Sequence, residues 1–177
     1  RSAVLIAAAH WLTARFGLPL VVSELGASAG LNLLWDHYAL AVQGQTYGPT
    51  GPALTLSPDW TGPLPPVARP TILDCRGVDL NPLDPVSDRL RLLAYLWPDQ
   101  PDRIARTRAA LDLATRIRPK VDRADAADWL ETRLASPTKG ALHLIFLTVA
   151  WQYFPTATQT RALATLRRRL GEEAARE

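Results

Sequence analysis

The run Leu20-Val21-Val22-Ser23-Glu24-Leu25-Gly26-Ala27-Ser28-Ala29-Gly30 constrains this chain more than any other stretch. Leu20-Val21-Val22 is short, apolar and rich in β-branched residues, the pattern of a strand buried on both faces of a parallel sheet. It leads to an acid, Glu24, and then to glycines at 26 and 30 on either side of Ser28. Glycines let a backbone turn sharply and approach a ligand closely. Leu31 to Tyr38 then reads as a helix with Leu31, Leu34 and Trp35 inward. The start of a helix presents unpaired N–H groups, which favour a carboxylate or phosphate. A glycine turn between strand and helix is therefore a candidate ligand site, Glu24 to Gly30.

The rest of the chain repeats the alternation. Val4, Ala8, Trp11, Leu12 and Phe16 recur at helical spacing ahead of Gly17 and Pro19. Gln43 to Pro70 is rich in Gly and Pro and reads as an insertion, with Leu40 to Val42 and Leu54 to Leu56 as a possible small hairpin. Further strands are expected at about 71–79, 121–124 and 141–149, the last being the strongest. Helices are expected from about Pro85 to Trp97, Pro101 to Arg118, Asp125 to Leu134 and Thr156 to Glu173. The final helix places Leu163, Leu166 and Leu170 on one face, with Arg167-Arg168-Arg169 solvated. Strands alternating with helices imply an α/β doubly wound, mostly parallel sheet, Rossmann-like, with helices on both faces. The expected spatial order of the four strands is 3-2-1-4.

Size and charge narrow the function classes. With 177 residues, the chain suits a single domain, residues 1–177, carrying the insertion at about 43–70. Hydrophobic residues are 47% and charged residues 21%, an ordinary globular mix. The net charge of +3 is too small to indicate nucleic acid as a partner. One cysteine, Cys75, allows neither an internal disulfide nor a cysteine zinc site, so a cytoplasmic setting is expected. Ser2 to Ala14 and Ala141 to Phe154 are the longest uncharged apolar stretches; both fall short of the ~20 residues of a spanning helix, and no membrane partner is expected. The chain begins at Arg1 and contains no Met, so it is read as part of a longer protein.

Glu24-x-Gly26-x-Ser28-x-Gly30 resembles motif I of class I S-adenosylmethionine-dependent methyltransferases, with Ser28 in place of the central glycine. The resemblance implies that the turn, including Ala27 and Asn32 at its rim, cradles the methionine part of the cofactor. It implies that an acid after the second strand holds the ribose, which falls on Asp79 beside Leu80. It implies that an acid after the third strand meets the adenine, which falls on Asp125 beside Ala126. More narrowly, Glu24-Leu-Gly-Ala-Ser-Ala-Gly-Leu-Asn-Leu-Leu34, Gly77-Val-Asp-Leu-Asn-Pro-Leu-Asp84 and Leu96-Trp-Pro-Asp-Gln100 are similar to a bacterial family, the domain of unknown function 2332. The expectation is a methyltransferase, or a protein that binds S-adenosylmethionine, with no acceptor or catalytic residue legible.

The same turn admits a second chemistry. Gly26-Ala27-Ser28-Ala29-Gly30 matches the Gly-x-Ser-x-Gly elbow of serine hydrolases, in which Ser28 is the nucleophile. That chemistry requires a histidine base on a loop beyond a strand. His37 follows the turn too closely and His143 falls inside a strand, so neither is a convincing partner. A Rossmann-like domain that only binds is the third reading. No His or acid spacing suggests a metal. Asp79 and Asp125 also have plain structural roles open to them, as a turn cap and a helix N-cap. Trp151, just past the last strand, is placed to stack on an adenine.

Overall fold

The computed structural model describes residues 1–174. The helix Ser2–Phe16 (α1) is rich in alanine, the best helix former. Gly17, at φ 64°, ends it in the left-handed region. Its buried face is Leu5, Ile6, Ala9 and His10, whereas Val4 and Trp11 of the expected stripe are exposed. The helix is apolar on most sides, so spacing predicts its existence but not its phase.

The strands are β1 (Leu20–Leu25), β2 (Tyr38–Val42), β3 (Gln45–Tyr47), β4 (Leu54–Leu56), β5 (Ile72–Asp79), β6 (Val121–Arg123) and β7 (Leu142–Phe146). Four of them form an all-parallel sheet in the order β6-β5-β1-β7, the expected 3-2-1-4. The remaining helices are α2 (Arg89–Ala94), α3 (Pro101–Ile117), α4 (Ala126–Ala135) and α5 (Thr156–Ala174). Side chains alternate across β1, and each face meets its own layer. Leu20 and Val22 pack with α1 and α3 residues such as Ile6, Ala9 and Leu113. Leu25 joins Val78, Ala127, Leu130 and Ala162 of the α4 and α5 layer. This is a mixed α/β architecture with helices flanking a parallel sheet, compatible with a Rossmann-like fold.

Several local expectations are corrected. Leu31–His37 is a 3-10 helix, not an α-helix. Both its ends are tied: Gly30 enters it at φ 69°, and the Tyr38 hydroxyl donates to the Leu31 carbonyl at 2.8 Å. Within the Gly/Pro-rich region the hairpin joins β2 to β3, and Leu54–Leu56 instead pairs parallel to β2. Gln43 and Gly44 both have positive φ, 47° and 78°, as a tight two-residue hairpin loop requires. Asp84 does accept from the Val86 and Ser87 N–H groups, yet the helix begins only at Arg89 and ends at Ala94. The last strand stops at Phe146, short of Val149. α5 buries Thr158, Ala162 and Thr165, leaving Leu163 and Leu170 exposed, while Arg167 and Arg168 are solvated. No described helix is long and apolar enough to cross a membrane.

Candidate functional site

All four strands of the parallel sheet deliver residues to one cavity at their carboxyl ends. β1 leads to Gly26, Ala27 and Ser28; β5 ends in Val78 and Asp79 and continues to Leu80. β6 leads to Ala124, Asp125 and Ala126, and β7 to Thr148, Val149 and Ala150. Ligands of open α/β sheets bind at this edge, where the strand order reverses. The cavity has a volume of about 370 Å³.

Asp79 ties two turns together. One carboxylate oxygen accepts from the Ser28 N–H and the other from the Asn81 N–H, both at 2.8 Å. The acid at the end of β5 thus holds the glycine turn after β1, a coupling across neighbouring strands. Two accepted bonds leave about two of the carboxylate's four lone-pair sites. Ser28 follows at φ 53°, in the left-handed region. That conformation costs a non-glycine residue roughly 1–2 kcal/mol. Ser28→Gly is therefore expected to raise stability by roughly 0.5–1 kcal/mol, because relief of the strain exceeds glycine's entropy loss. Urea unfolding of the variant checks this; an unchanged or lower midpoint would show the turn to be unstrained.

Gly26 is required where it stands. Its φ is 74°, and a Cβ there would collide with the side chain of Ala150. The turn and the segment after β7 close on each other at that point. Gly30 lies off the cavity: the space a Cβ would occupy is taken by Pro119 and Val121. Its role is close packing of the turn against the start of β6.

Asp125 performs the plain task open to it and also lines the cavity. One oxygen accepts from the Ala127 and Asp128 N–H groups, capping α4, and the other accepts from the Thr158 hydroxyl at 2.7 Å. Burial pushes its carboxyl up, but the Thr158 hydroxyl and the two backbone donors outweigh that and hold it below the usual range. Three accepted bonds leave about one lone-pair site.

Glu24 forms part of the cavity wall and is 1% exposed. Asn32 donates to its Oε1 at 2.9 Å, while Oε2 is buried without a partner. Burial pushes this carboxyl up to about 8; the Asn32 hydrogen bond offsets only part of the effect. Asn32 itself is held by the Ser2 hydroxyl, which donates to its Oδ1 at 3.1 Å.

Of the residues singled out in the sequence, Glu24, Gly26, Ala27, Ser28 and Asn32 share this cavity with Asp79, Leu80, Asp125 and Ala126. Sequence reasoning missed its far wall. Tyr153, Phe154 and Pro155 contribute there, with Thr158 and Val149. Trp151, expected to stack on a ligand, instead packs into the α4 and α5 layer, its ring 6.0 Å from that of Phe154. Val149 has a φ of 69°, an outlier for a β-branched residue, and such strain persists only where the surroundings enforce it. The three histidines sit elsewhere. The His10 Nδ1 accepts from the Ala68 N–H, His37 lies beside Asp36, and His143 bonds the Ser23 hydroxyl from within β7. No group of metal-binding side chains occurs among the described residues.

No curated protein and no solved structure matches this chain. The family model of an uncharacterized protein conserved in bacteria matches residues 1–176. The chain belongs to that bacterial family, DUF2332.

Proposed function

We propose that the cavity at the carboxyl edge of the sheet binds S-adenosylmethionine and that the protein is a methyltransferase or a binding protein for that cofactor. The observation that carries this reading is convergence: Glu24, Asp79 and Asp125, each at or just past a different strand's carboxyl end, line one cavity with the glycine turn. The donor set suits a polar ligand that carries a diol. Glu24 brings a buried carboxyl with an unpartnered oxygen, and Asp79 keeps lone pairs for two adjacent hydroxyls. Ala126 opens α4; Asp125 caps the N–H groups of Ala127 and Asp128 but not that of Ala126, which can donate to a ring nitrogen. Tyr153 and Phe154 supply aromatic surface for a purine.

Bound there, S-adenosylmethionine supplies an electrophilic methyl group on a sulfonium. The chain's own contribution is to orient it and to keep water from it. Asp79 holds the ribose edge, the Gly26–Ser28 backbone borders the amino-acid portion, and Val149 and Phe154 dry the opposite wall. A general base is not required for every acceptor, and no residue is assigned that role.

Calorimetric titration with S-adenosylmethionine, S-adenosylhomocysteine and NAD tests the assignment. Both sulfur compounds are expected to bind in the micromolar range, and NAD at least tenfold more weakly. An absence of binding of either sulfur compound at millimolar concentration overturns it. The serine-nucleophile alternative gains the strained Ser28 but no histidine on the cavity wall. It predicts hydrolysis of a generic ester that Ser28→Ala abolishes; the cofactor reading predicts no such hydrolysis.

A further inference from the structure

A second cavity of about 370 Å³ adjoins the first, and Asn32 belongs to the walls of both. Its chemistry differs from that of its neighbour. No acid lines it. Arg103 and Arg106 do, from positions three apart on α3, where side chains share one helix face. Neither arginine makes an ion pair among the described residues. The one hydrogen bond of the Arg103 guanidinium joins its Nη1 to the Gln100 Oε1 at 3.1 Å, and that acceptor is neutral. Other arginines, such as Arg89 with Asp112, Arg118 with Asp84 and Arg133 with Asp74, are paired with acids. Arg1 lines the cavity as well, so three basic residues face a wall that carries no acid, and that field suits an anion. Arg103 and Arg106 lie near the start of a 17-residue helix, whose dipole adds to their field. The opposite side of the cavity is apolar: Leu31 opens the 3-10 helix, and Leu54 and Leu56 belong to β4.

We infer that this second cavity binds a small organic anion, its carboxylate or phosphate held by Arg103 and Arg106 and its carbon skeleton against Leu31, Leu54 and Leu56. Guanidinium forks match either oxyanion with paired hydrogen bonds. Because Arg1 and Asn32 line both cavities, the two occupants would lie side by side, and the anion is the acceptor class for the first; that part of the inference rests on the cofactor reading given above. Asn32 is fixed by Ser2 on one side and by its bond to Glu24 on the other, so an occupant of either cavity meets the same side chain.

The test uses phenyl phosphate and benzoate as probes, with benzyl alcohol as the neutral control of similar shape. NMR titration follows the backbone amide of Thr107, which lines the cavity next to Arg106, and the Nε–H signals of the two arginines. At least one anion is expected to shift these signals and to bind tenfold or more tightly than benzyl alcohol. Arg103→Gln with Arg106→Gln should remove that preference, weakening the anion about tenfold to a hundredfold. Both side chains are exposed and lack acidic partners, so the double variant retains its fold, which its unfolding midpoint verifies. S-adenosylhomocysteine affinity in the variant should stay within about twofold of the parent. Equal binding of anions and alcohol, shifts confined to other surfaces, or undiminished anion binding by the double variant overturns the inference. Anion binding without any S-adenosylhomocysteine binding upholds the anion site but overturns its assignment as an acceptor site, and separates this proposal from the cofactor reading.

Discussion

Replacing Glu24 by Gln is expected to leave stability nearly unchanged at pH 4 and to raise it by on the order of 4 kcal/mol at pH 8. Glu24 is buried at the carboxyl end of β1, with one oxygen bonded to Asn32 and the other unpartnered. Burial raises its carboxyl in the folded chain to about 8, against about 4.5 in the open chain. The folded state thus holds a proton that the unfolded state has released. Its contribution to stability is fully present below pH 4.5 and is lost as pH rises through 8. Gln keeps a carbonyl that can accept from Asn32 and cannot ionise. The gain should grow with pH across that window and level off beyond it. His143 has the opposite sign. Burial, aided by Arg133, depresses it to about 4, so its contribution is lost as pH falls from 6.5 towards 4. The His143 contribution is common to both proteins, so subtracting one stability curve from the other isolates Glu24. A difference curve that is flat between pH 5 and 8 would mean that Glu24 titrates as an ordinary carboxyl and that its burial carries no charge penalty.

The sheet was legible because its signal is local. Leu20-Val21-Val22 and the apolar run around Leu142–Phe146 are β-rich stretches, and parallel crossovers leave few orders for four strands. The acids at 24, 79 and 125 were legible for the same reason: each stands at or just past the end of a strand, and parallel strands bring those ends to one edge. What failed was long-range or irregular. Gly30 looks like a ligand glycine in the sequence, but its close neighbours, Pro119 and Val121, arrive from the far side of α3. The far wall of the cavity was missed because Val149 to Pro155 has no periodicity. The expectation carried the strand to Val149, with Trp151 just past its end and free to face the cavity. The strained backbone at Val149 and the following 3-10 turn rotate Trp151 into the α4 and α5 layer and offer Tyr153 and Phe154 in its place. The β2–β3 hairpin was readable after all, since Gln43-Gly44 is a two-residue loop of the required type. It was missed by pairing apolar runs across the Gly/Pro-rich segment instead of reading its first turn.

Asp79→Ala should be the most damaging single change at the cavity, and its effect should divide into two measurable parts. The carboxylate accepts from the backbone of Ser28 and of Asn81, so its loss strands two N–H donors. Removing the acceptor of two charge-assisted bonds is expected to cost about 2–3 kcal/mol of stability, which urea unfolding reads. The same carboxylate is the proposed acceptor for two ribose hydroxyls. Its loss should weaken S-adenosylhomocysteine by tenfold to a hundredfold, corresponding to about 1.5–3 kcal/mol. Ser28→Ala separates the two contributions. It keeps the backbone N–H that Asp79 holds, and it removes only a hydroxyl at the edge of the turn. Its affinity should therefore stay within about twofold of the parent. The serine-nucleophile reading inverts this order: Ser28→Ala loses all ester hydrolysis, and Asp79→Ala loses only what a loosened turn costs. Calorimetry of both variants with S-adenosylhomocysteine, and an ester assay of both, distinguish the readings. If Asp79→Ala is destabilised as expected yet binds within twofold of the parent, Asp79 serves only to tie the turns. The ribose must then be held elsewhere, and the correspondence between this cavity and a methyltransferase site fails at its central acid.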